Sequence, residues 1–230
     1  MSLILPMVTN AGGSLAAADA TITFVATAIS NSASSSVMDF SSVSLGAAAT
    51  GRYILAGLSL GSASGLSGNI SMDDIGGVTP TLLSQYEDGD NIHAFFILFL
   101  ETGTSGDFDF DFSLSNDANR AFLSVWNVFD LTDASAVTDT AEMASGTTGS
   151  ASGSIDVEAG GIVAANGGTA KNNRNSLAWT GVDEDADVSV NGRRYGSASR
   201  EFASAATSHS ITITDSPSSD RLGAHAIALR

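Results

Sequence analysis

The chain has 230 residues, of which 43% are hydrophobic and only 15% are charged. Nine basic residues against 25 acidic ones give a formal net charge of −16, which repels the phosphates of nucleic acids at long range. The absence of cysteine excludes disulfides, thiolate nucleophiles and Cys-ligated metal sites. Because no run approaches the ~18 consecutive apolar residues of a membrane helix, the sequence predicts an acidic globular protein with no nucleic-acid partner and no membrane insertion.

The hydrophobic residues of the first half are spaced as in β-strands. Between Asp107 and Leu114 the alternation is strict, so that the phenylalanines share one face and the aspartates the other. Segments 21–26 and 120–129 are rich in β-branched and aromatic residues, which favour strands. The pair Gly76-Gly77 stands between two short apolar runs and predicts a tight hairpin.

Two segments, 53–60 and 92–100, are almost continuously apolar. This pattern indicates strands that are covered on both faces or buried at an interface, with a helix as an alternative for 92–100. The run Phe95-Phe96-Ile97-Leu98-Phe99-Leu100 is more apolar than one half-buried strand requires. We therefore expect its second face to be covered by loops of the other sheet or by another subunit, and so predict a homo-oligomer.

The second half shows the same strand spacing with smaller residues. Its predicted strands are 154–158, 161–165, 176–180, 187–190, 195–202, 208–214 and 222–229. Helical periodicity is nearly absent, because the Ala-rich pieces are short and bounded by glycine. We therefore predict an all-β fold with little helix, an antiparallel β-sandwich with jelly-roll-like connections. The expected domains are an N-terminal arm over 1–20 and one sandwich over 21–230, with a long Gly/Ser/Thr-rich loop near 141–153. The alternative for this stretch is a linker that divides the chain near its middle.

Catalytic motifs are scarce. Gly57-Leu58-Ser59-Leu60-Gly61 matches the G-x-S-x-G pattern of a nucleophile elbow, but the helix that should follow is replaced by a flexible Gly/Ser run. The histidines, His93, His209 and His225, lack metal-ligand spacing, although a fold can still bring two of them together. The sequence therefore predicts no catalytic triad and no enzyme.

A group of aromatic and basic residues in the second half suits glycan or receptor contact. It consists of Trp179, Tyr195, Arg193, Arg194 and Arg200. Aromatic faces stack on sugar rings, and guanidinium groups donate hydrogen bonds to hydroxyl or carboxylate groups. The alternatives are that Trp179 packs in the core and that the arginines pair with the acidic turn 183–187.

That acidic turn is also the candidate metal site. Asp183, Asp185 and Asp187 offer the hard oxygen ligands that Ca²⁺ prefers, while a solvated loop is the alternative interpretation. No other cofactor is predicted.

Four segments carry a family resemblance. They are Ala20-Thr21-Ile22-Thr23-Phe24-Val25, Arg52-Tyr53-Ile54-Leu55-Ala56, Ile75-Gly76-Gly77-Val78-Thr79-Pro80-Thr81-Leu82 and Glu101-Thr102-Gly103-Thr104-Ser105-Gly106-Asp107-Phe108. In order and spacing they resemble small β-sandwich accessory virion proteins of tailed bacteriophages, particularly marine phages. The resemblance covers roughly the first 130 residues and brings no catalytic residues with it.

The resemblance implies a structural protein located in the virion, either a tail or baseplate spike or a fibre-type protein with a host-glycan contact patch. One alternative is a capsid decoration or cement protein that reinforces the head. A second is a glycan-depolymerising spike enzyme, which needs two carboxylates about 5 to 9.5 Å apart across a cleft. Analogy with phage spikes makes a trimer the expected homo-oligomer, with other virion proteins as further partners.

Overall fold

The computed structural model describes residues 18–31, 35–62, 66–89, 91–100, 105–134, 137–145, 149–169, 176–216 and 221–230. Within these ranges the regular elements are β-strands, and their pairing is antiparallel throughout. A helix long and apolar enough to cross a membrane is not found in these ranges. The predicted class, an all-β antiparallel sandwich architecture, is confirmed.

The strands follow one another through the whole described chain. In chain order they are β1 (Thr21–Ser30), β2 (Ser35–Ser44), β3 (Arg52–Gly61), β4 (Ile70–Met72), β5 (Thr81–Glu87), β6 (Asn91–Leu100), β7 (Asp107–Ala118), β8 (Arg120–Phe129), β9 (Val137–Ser145), β10 (Ser150–Val157), β11 (Gly161–Thr169), β12 (Ser176–Thr180), β13 (Asp183–Val190), β14 (Arg193–Phe202), β15 (Ala206–Ser216) and β16 (Leu222–Leu229).

The strands form four sheets, and the second half of the chain repeats the order of the first. In sandwich 1, made by β1 to β8, a five-stranded sheet ordered β1-β8-β3-β6-β5 faces a three-stranded sheet ordered β2-β7-β4. In sandwich 2, made by β9 to β16, the corresponding orders are β9-β16-β11-β14-β13 and β10-β15-β12. A bulge in β5, between Leu82 and Ser84, has a counterpart in the corresponding strand β13, between Glu184 and Ala186.

The two sandwiches pack through their five-stranded sheets, which gives four layers. Each sandwich has its own apolar core, and a third apolar cluster lies between the two five-stranded sheets. Strand alternation explains this division, since Ile54 and Leu58 of β3 point into sandwich 1 whereas Leu55 between them points towards sandwich 2. Both faces of β3 and most of both faces of β6 are therefore covered, as their continuous apolar sequences predicted. Sandwich 2 supplies the second cover of the β6 run except at Phe99, which is 40% exposed.

Two domain-level expectations need correction. The single sandwich over 21–230 is replaced by two sandwiches with separate cores. The loop near 141–153 is largely the strand pair β9 and β10, with residues 146–148 outside the described ranges. Composition concealed these strands because their inward residues, such as Ala141 and Ala151, are small and resemble loop residues. Of the predicted arm over 1–20, residues 1–17 lie outside the described ranges, while Ala20 is buried and donates its N–H to the Gly160 carbonyl at 2.8 Å.

The predicted Gly-Gly hairpin is confirmed. Ile75 and Val78 exchange two backbone hydrogen bonds of 3.0 Å each. Gly76 and Gly77 both have positive φ, at 59° and 81°, which the mirror-image turns of tight hairpins require. This turn lies where the chain passes from β4 of the three-stranded sheet to β5 of the five-stranded sheet.

Candidate functional site

The predicted glycan patch is not formed. Tyr195 is fully buried and Arg193 is nearly so, both in the contact between the sandwiches, where the Tyr195 ring stacks on Phe122. Arg194, the residue between them, points to the other face of β14 because side chains alternate along a strand. There its Nε donates to Asp187 Oδ1 at 2.9 Å in a two-pronged ion pair.

The remaining two members of the predicted patch lie elsewhere. Trp179 packs against the core of sandwich 2, as the alternative interpretation held. Arg200 is exposed, places its guanidinium over the Phe202 ring and donates to the Gly181 carbonyl at 3.2 Å. The asparagines nearby in the sequence, Asn172, Asn173 and Asn175, lie outside the described residues.

The predicted Ca²⁺ ligands do not converge. Asp187 is engaged by Arg194, and Asp185 accepts a hydrogen bond of 2.8 Å from Trp126 Nε1 of sandwich 1. Burial raises the pKa of Asp185, while the bonds from Trp126 and Ser199 lower it. Across the described ranges, no group of three or more His, Asp or Glu side chains has a geometry suited to a metal ion.

The buried polar side chains between the two five-stranded sheets form what we call the polar seam. Its members are Ser59, Asn91, His93, Arg120, Ser124, Asn166, Arg193, Tyr195, Ser197 and His225. They occupy alternate positions on β3, β6, β8, β11, β14 and β16, so that each points towards the opposite sandwich. The seam therefore places two of the histidines and two arginines in one buried layer.

Ser59 of the G-x-S-x-G motif has a histidine and an aspartate beside it. Its Oγ lies 2.8 Å from His93 Nδ1, and Asp88 Oδ2 lies 3.8 Å from His93 Nε2. Ser59 and His93 are direct partners across β3 and β6, so register alone brings them together. Both are fully buried, and Ser59 lies within a continuous strand instead of on the turn that exposes a nucleophile. The group is therefore a hydrogen-bonded link inside the fold.

Two of the histidines do come together in the seam. His225 of β16 lies close enough to His93 for their charges to interact, and its Nε2 is 2.8 Å from Ser84 Oγ of β5. The Phe95 and Tyr86 rings lie 5.8 Å and 5.9 Å from the His225 ring. Burial, helped by His93, lowers the pKa of His225 to about 4, against a smaller opposing effect of a hydrogen bond with the Ala141 backbone. His225 is therefore neutral at physiological pH.

One end of the seam is basic. Arg120, Gly61 and Asn91 stand side by side on β8, β3 and β6, and Arg193 and Tyr195 of sandwich 2 cover them. Burial lowers the pKa of the Arg120 guanidinium, and the neighbouring Arg193 lowers it further. Burial also raises the pKa of Tyr195 to about 12, although both arginines oppose this rise. The seam thus holds two buried cations beside a neutral phenol.

A shallow cleft opens where β1 of sandwich 1 meets β13 and β14 of sandwich 2. It measures about 300 Å³ and is lined by Ile22, Asp183, Ser199, Arg200 and Glu201. Glu201 Oε1 accepts the backbone N–H of Ile22 at 2.9 Å, so this carboxylate also holds the edge strand in place. The cleft therefore brings two carboxylates together, those of Asp183 and Glu201.

The outer faces of the two three-stranded sheets differ in charge. Sandwich 1 presents Asp39, Asp109 and Asp111, where burial and neighbouring carboxylates raise the pKa of Asp111. Sandwich 2 presents mainly hydroxyl groups, among them Ser152 and Thr212, whose oxygens lie 2.8 Å apart. The molecule therefore has an acidic outer face and a hydroxyl-rich outer face at opposite ends of the four layers.

Sequence reasoning missed the polar seam. The signal that was present is the alternation of polar residues within otherwise apolar strands, such as Ser59 in β3 and His93 in β6. Such residues look like isolated interruptions until a second sheet is known to lie against them. No protein-family model, curated protein or solved structure matches the chain.

Proposed function

We propose that this chain is a non-enzymatic structural module of a tailed-bacteriophage particle. The observation that carries the proposal is the burial of the polar seam: Ser59, His93 and Tyr195 are all fully shielded between the sandwiches. A residue that cannot meet a substrate stabilises the fold instead of reacting. The resemblance of the first 130 residues to accessory virion proteins supplies the biological setting.

The four-layer architecture supports a rigid building block. In sandwich 1 the order β1-β8-β3-β6 facing β2-β7-β4, repeated in sandwich 2, supports a jelly-roll connection for each half. The outer acidic and hydroxyl-rich faces are the surfaces left for other virion proteins or a host glycan. A homo-oligomer, with a trimer by analogy to phage spikes, stays part of the proposal, but the apolar run of β6 no longer requires it.

The test uses purified particles of the phage that encodes the chain. Mass spectrometry of these particles should detect the chain in a fixed ratio to the major capsid protein. Cryo-electron microscopy should then reveal density for the four layers and decide between a tail position and a head position. Presence in the infected cell together with absence from purified particles would contradict the proposal.

The cleft between the sandwiches favours glycan hydrolysis as a second candidate. Asp183 and Glu201 line it together, and glycosidases use a pair of carboxylates. We would measure the release of reducing ends from host polysaccharide by the full chain and by the Asp183→Asn/Glu201→Gln variant. Asp156→Asn, an exposed aspartate on β10, serves as the control. Turnover that only the double variant loses would replace the structural proposal with the enzymatic one.

A further inference from the structure

The basic end of the polar seam has more hydrogen-bond donors than acceptors. Arg193 donates to the Ser62 carbonyl at 2.9 Å and to Asn91 Oδ1 at 3.4 Å, but its Nε has no partner. Arg120 has more unpartnered donors, since its buried Nε and Nη1 both lack a hydrogen-bond partner. The hydroxyl of Tyr195 lies beside Arg193 yet has no acceptor for its own proton.

The charges at this end are only partly compensated. Two guanidinium groups stand against one buried carboxylate, that of Asp88, which accepts a hydrogen bond of 3.0 Å from Asn91 Nδ2 and acts electrostatically on Tyr195. Arg120 is only 7% exposed and Arg193 only 6%, so solvent screens neither guanidinium well. The groups that act electrostatically on Arg120 are Arg193 and Tyr195, a second cation and a phenol. A buried cation whose charge is not fully neutralised is unfavourable, and a second cation beside it adds to that cost. A water molecule can accept a hydrogen bond from an unpartnered N–H group, but it cannot neutralise the charges of the two guanidinium groups.

Backbone geometry shows that the three side chains converge on one point. A Cβ at Gly61 would collide with the Tyr195 hydroxyl and would stand 3.0 Å from Arg193 Nη1 and 3.2 Å from Arg120 Cγ. Gly61 is also the direct strand partner of both Arg120 and Asn91. The Tyr195 hydroxyl and the Arg193 guanidinium therefore meet at Gly61 beside the stem of Arg120, near the ends of β3, β6, β8 and β14.

We propose that Arg120, Arg193 and Tyr195 form a binding site for a small oxyanion, such as inorganic phosphate or sulfate. Guanidinium groups present parallel N–H donors that match the oxygens of these anions, and a phenolic O–H adds one further donor. The bound anion joins the two sandwiches, because Arg120 belongs to the first while Arg193 and Tyr195 belong to the second. This inference does not depend on the proposed virion role.

The test is thermal unfolding of the full chain in sodium phosphate, sulfate and acetate, each compared with sodium chloride at matched ionic strength. An anion that binds only the folded state at 100 times its Kd should raise the Tm by about 5 to 10 °C. A shift that saturates with phosphate and sulfate alone assigns a tetrahedral oxyanion, because the general stabilisation by these salts keeps rising with concentration. A saturating shift that includes acetate assigns oxyanions in general. Equal Tm values in all four salts would overturn the site.

Variants at Arg120 and Arg200 test whether the anion-specific Tm shift arises at the polar seam. Arg120→Met should lose the anion-specific shift and, in chloride, should melt above the wild type because an unpaired buried cation is gone. Arg200→Met removes an exposed arginine from the same strand as Arg193 and should keep the whole shift. If Arg120→Met retains the shift, the assignment is wrong.

Anion binding can also be measured directly on the wild-type chain, so that the result does not depend on whether a variant folds. Equilibrium dialysis of the wild-type chain with radiolabelled phosphate should give one bound anion per chain, displaced by unlabelled sulfate. Tyr195→Phe, which removes only the hydroxyl, should weaken this binding several-fold while leaving the stoichiometry unchanged. An absence of bound phosphate in the wild type would overturn the proposal.

Discussion

At the scale of single residues, His225 makes stability depend on pH. Its pKa falls from 6.5 to about 4 on folding, so the unfolded chain binds the proton more readily. The contribution of His225 to the free energy of unfolding is therefore fully present above pH 6.5. It is lost as the pH drops towards 4, by up to about 3 kcal/mol. Urea unfolding at pH 7.0 and at pH 4.5 should reveal this loss.

The His225 effect can be separated from that of the carboxylates. Burial raises the pKa of Asp111 and Asp185, which favours folding as the pH falls and therefore opposes the histidine. His225→Gln should stay stable over a wider acidic range than the wild type, relative to its own value at pH 7. His209→Gln, which removes a histidine on β15 outside the seam, is the matched control. Parallel profiles for His225→Gln and the wild type would contradict the assignment.

The two tryptophans should respond differently to the loss of their N–H groups. Trp126→Phe removes the hydrogen bond to the Asp185 carboxylate, a bond to a charged group that contributes about 1.5 to 3 kcal/mol. Trp179 Nε1 has no acceptor among the described residues, so Trp179→Phe loses no such bond. Denaturant unfolding of both variants should show the larger loss for Trp126→Phe, and equal losses would argue against the link between the sandwiches.

At the scale of elements, the hairpin between β13 and β14 depends on its turn. Asn191 and Gly192 have φ of 47° and 82°, as a type I′ turn requires. Gly192→Ala places a Cβ in a left-handed conformation and should cost about 1 kcal/mol or more. Asn191→Gly keeps the backbone permissive and should change the free energy of unfolding by less than about 0.5 kcal/mol. Similar losses in both variants would show that the turn geometry is wrong.

Periodicity predicted most strands because strand sequences carry their own signal. The predicted bounds of 120–129, 176–180 and 222–229 agree with β8, β12 and β16. It failed for β9, whose inward positions hold Ala141 and Met143 among threonines and acids. It also could not say which face of β14 is buried, because that depends on a second sandwich encoded far away in the chain. The predicted glycan patch failed for this reason.

At the scale of the whole molecule, the two sandwiches share a surface that neither can expose alone. Leu55 and Phe95 of sandwich 1 and Ile162 and Ile227 of sandwich 2 belong to one apolar cluster. Unfolding one sandwich would expose the apolar surface with which the other packs against it. This exposure costs about 25 cal/mol per Å² of apolar surface. We therefore expect a single unfolding transition, with a calorimetric enthalpy equal to the van't Hoff enthalpy.

Gly57→Ala tests whether the contact between the sandwiches causes that cooperativity. The added Cβ would stand 2.5 Å from Asn166 Nδ2 and 2.8 Å from the Trp126 ring, so the two sheets must move apart. Overpacking of this kind costs about 1 to 3 kcal/mol. Because the strain falls on the interface and leaves both inner cores intact, the calorimetric enthalpy should exceed the van't Hoff enthalpy in this variant. Adding Asn166→Ala should restore part of the cooperativity by making room, whereas a wild-type enthalpy ratio in Gly57→Ala would show that the sandwiches are coupled by something other than this contact.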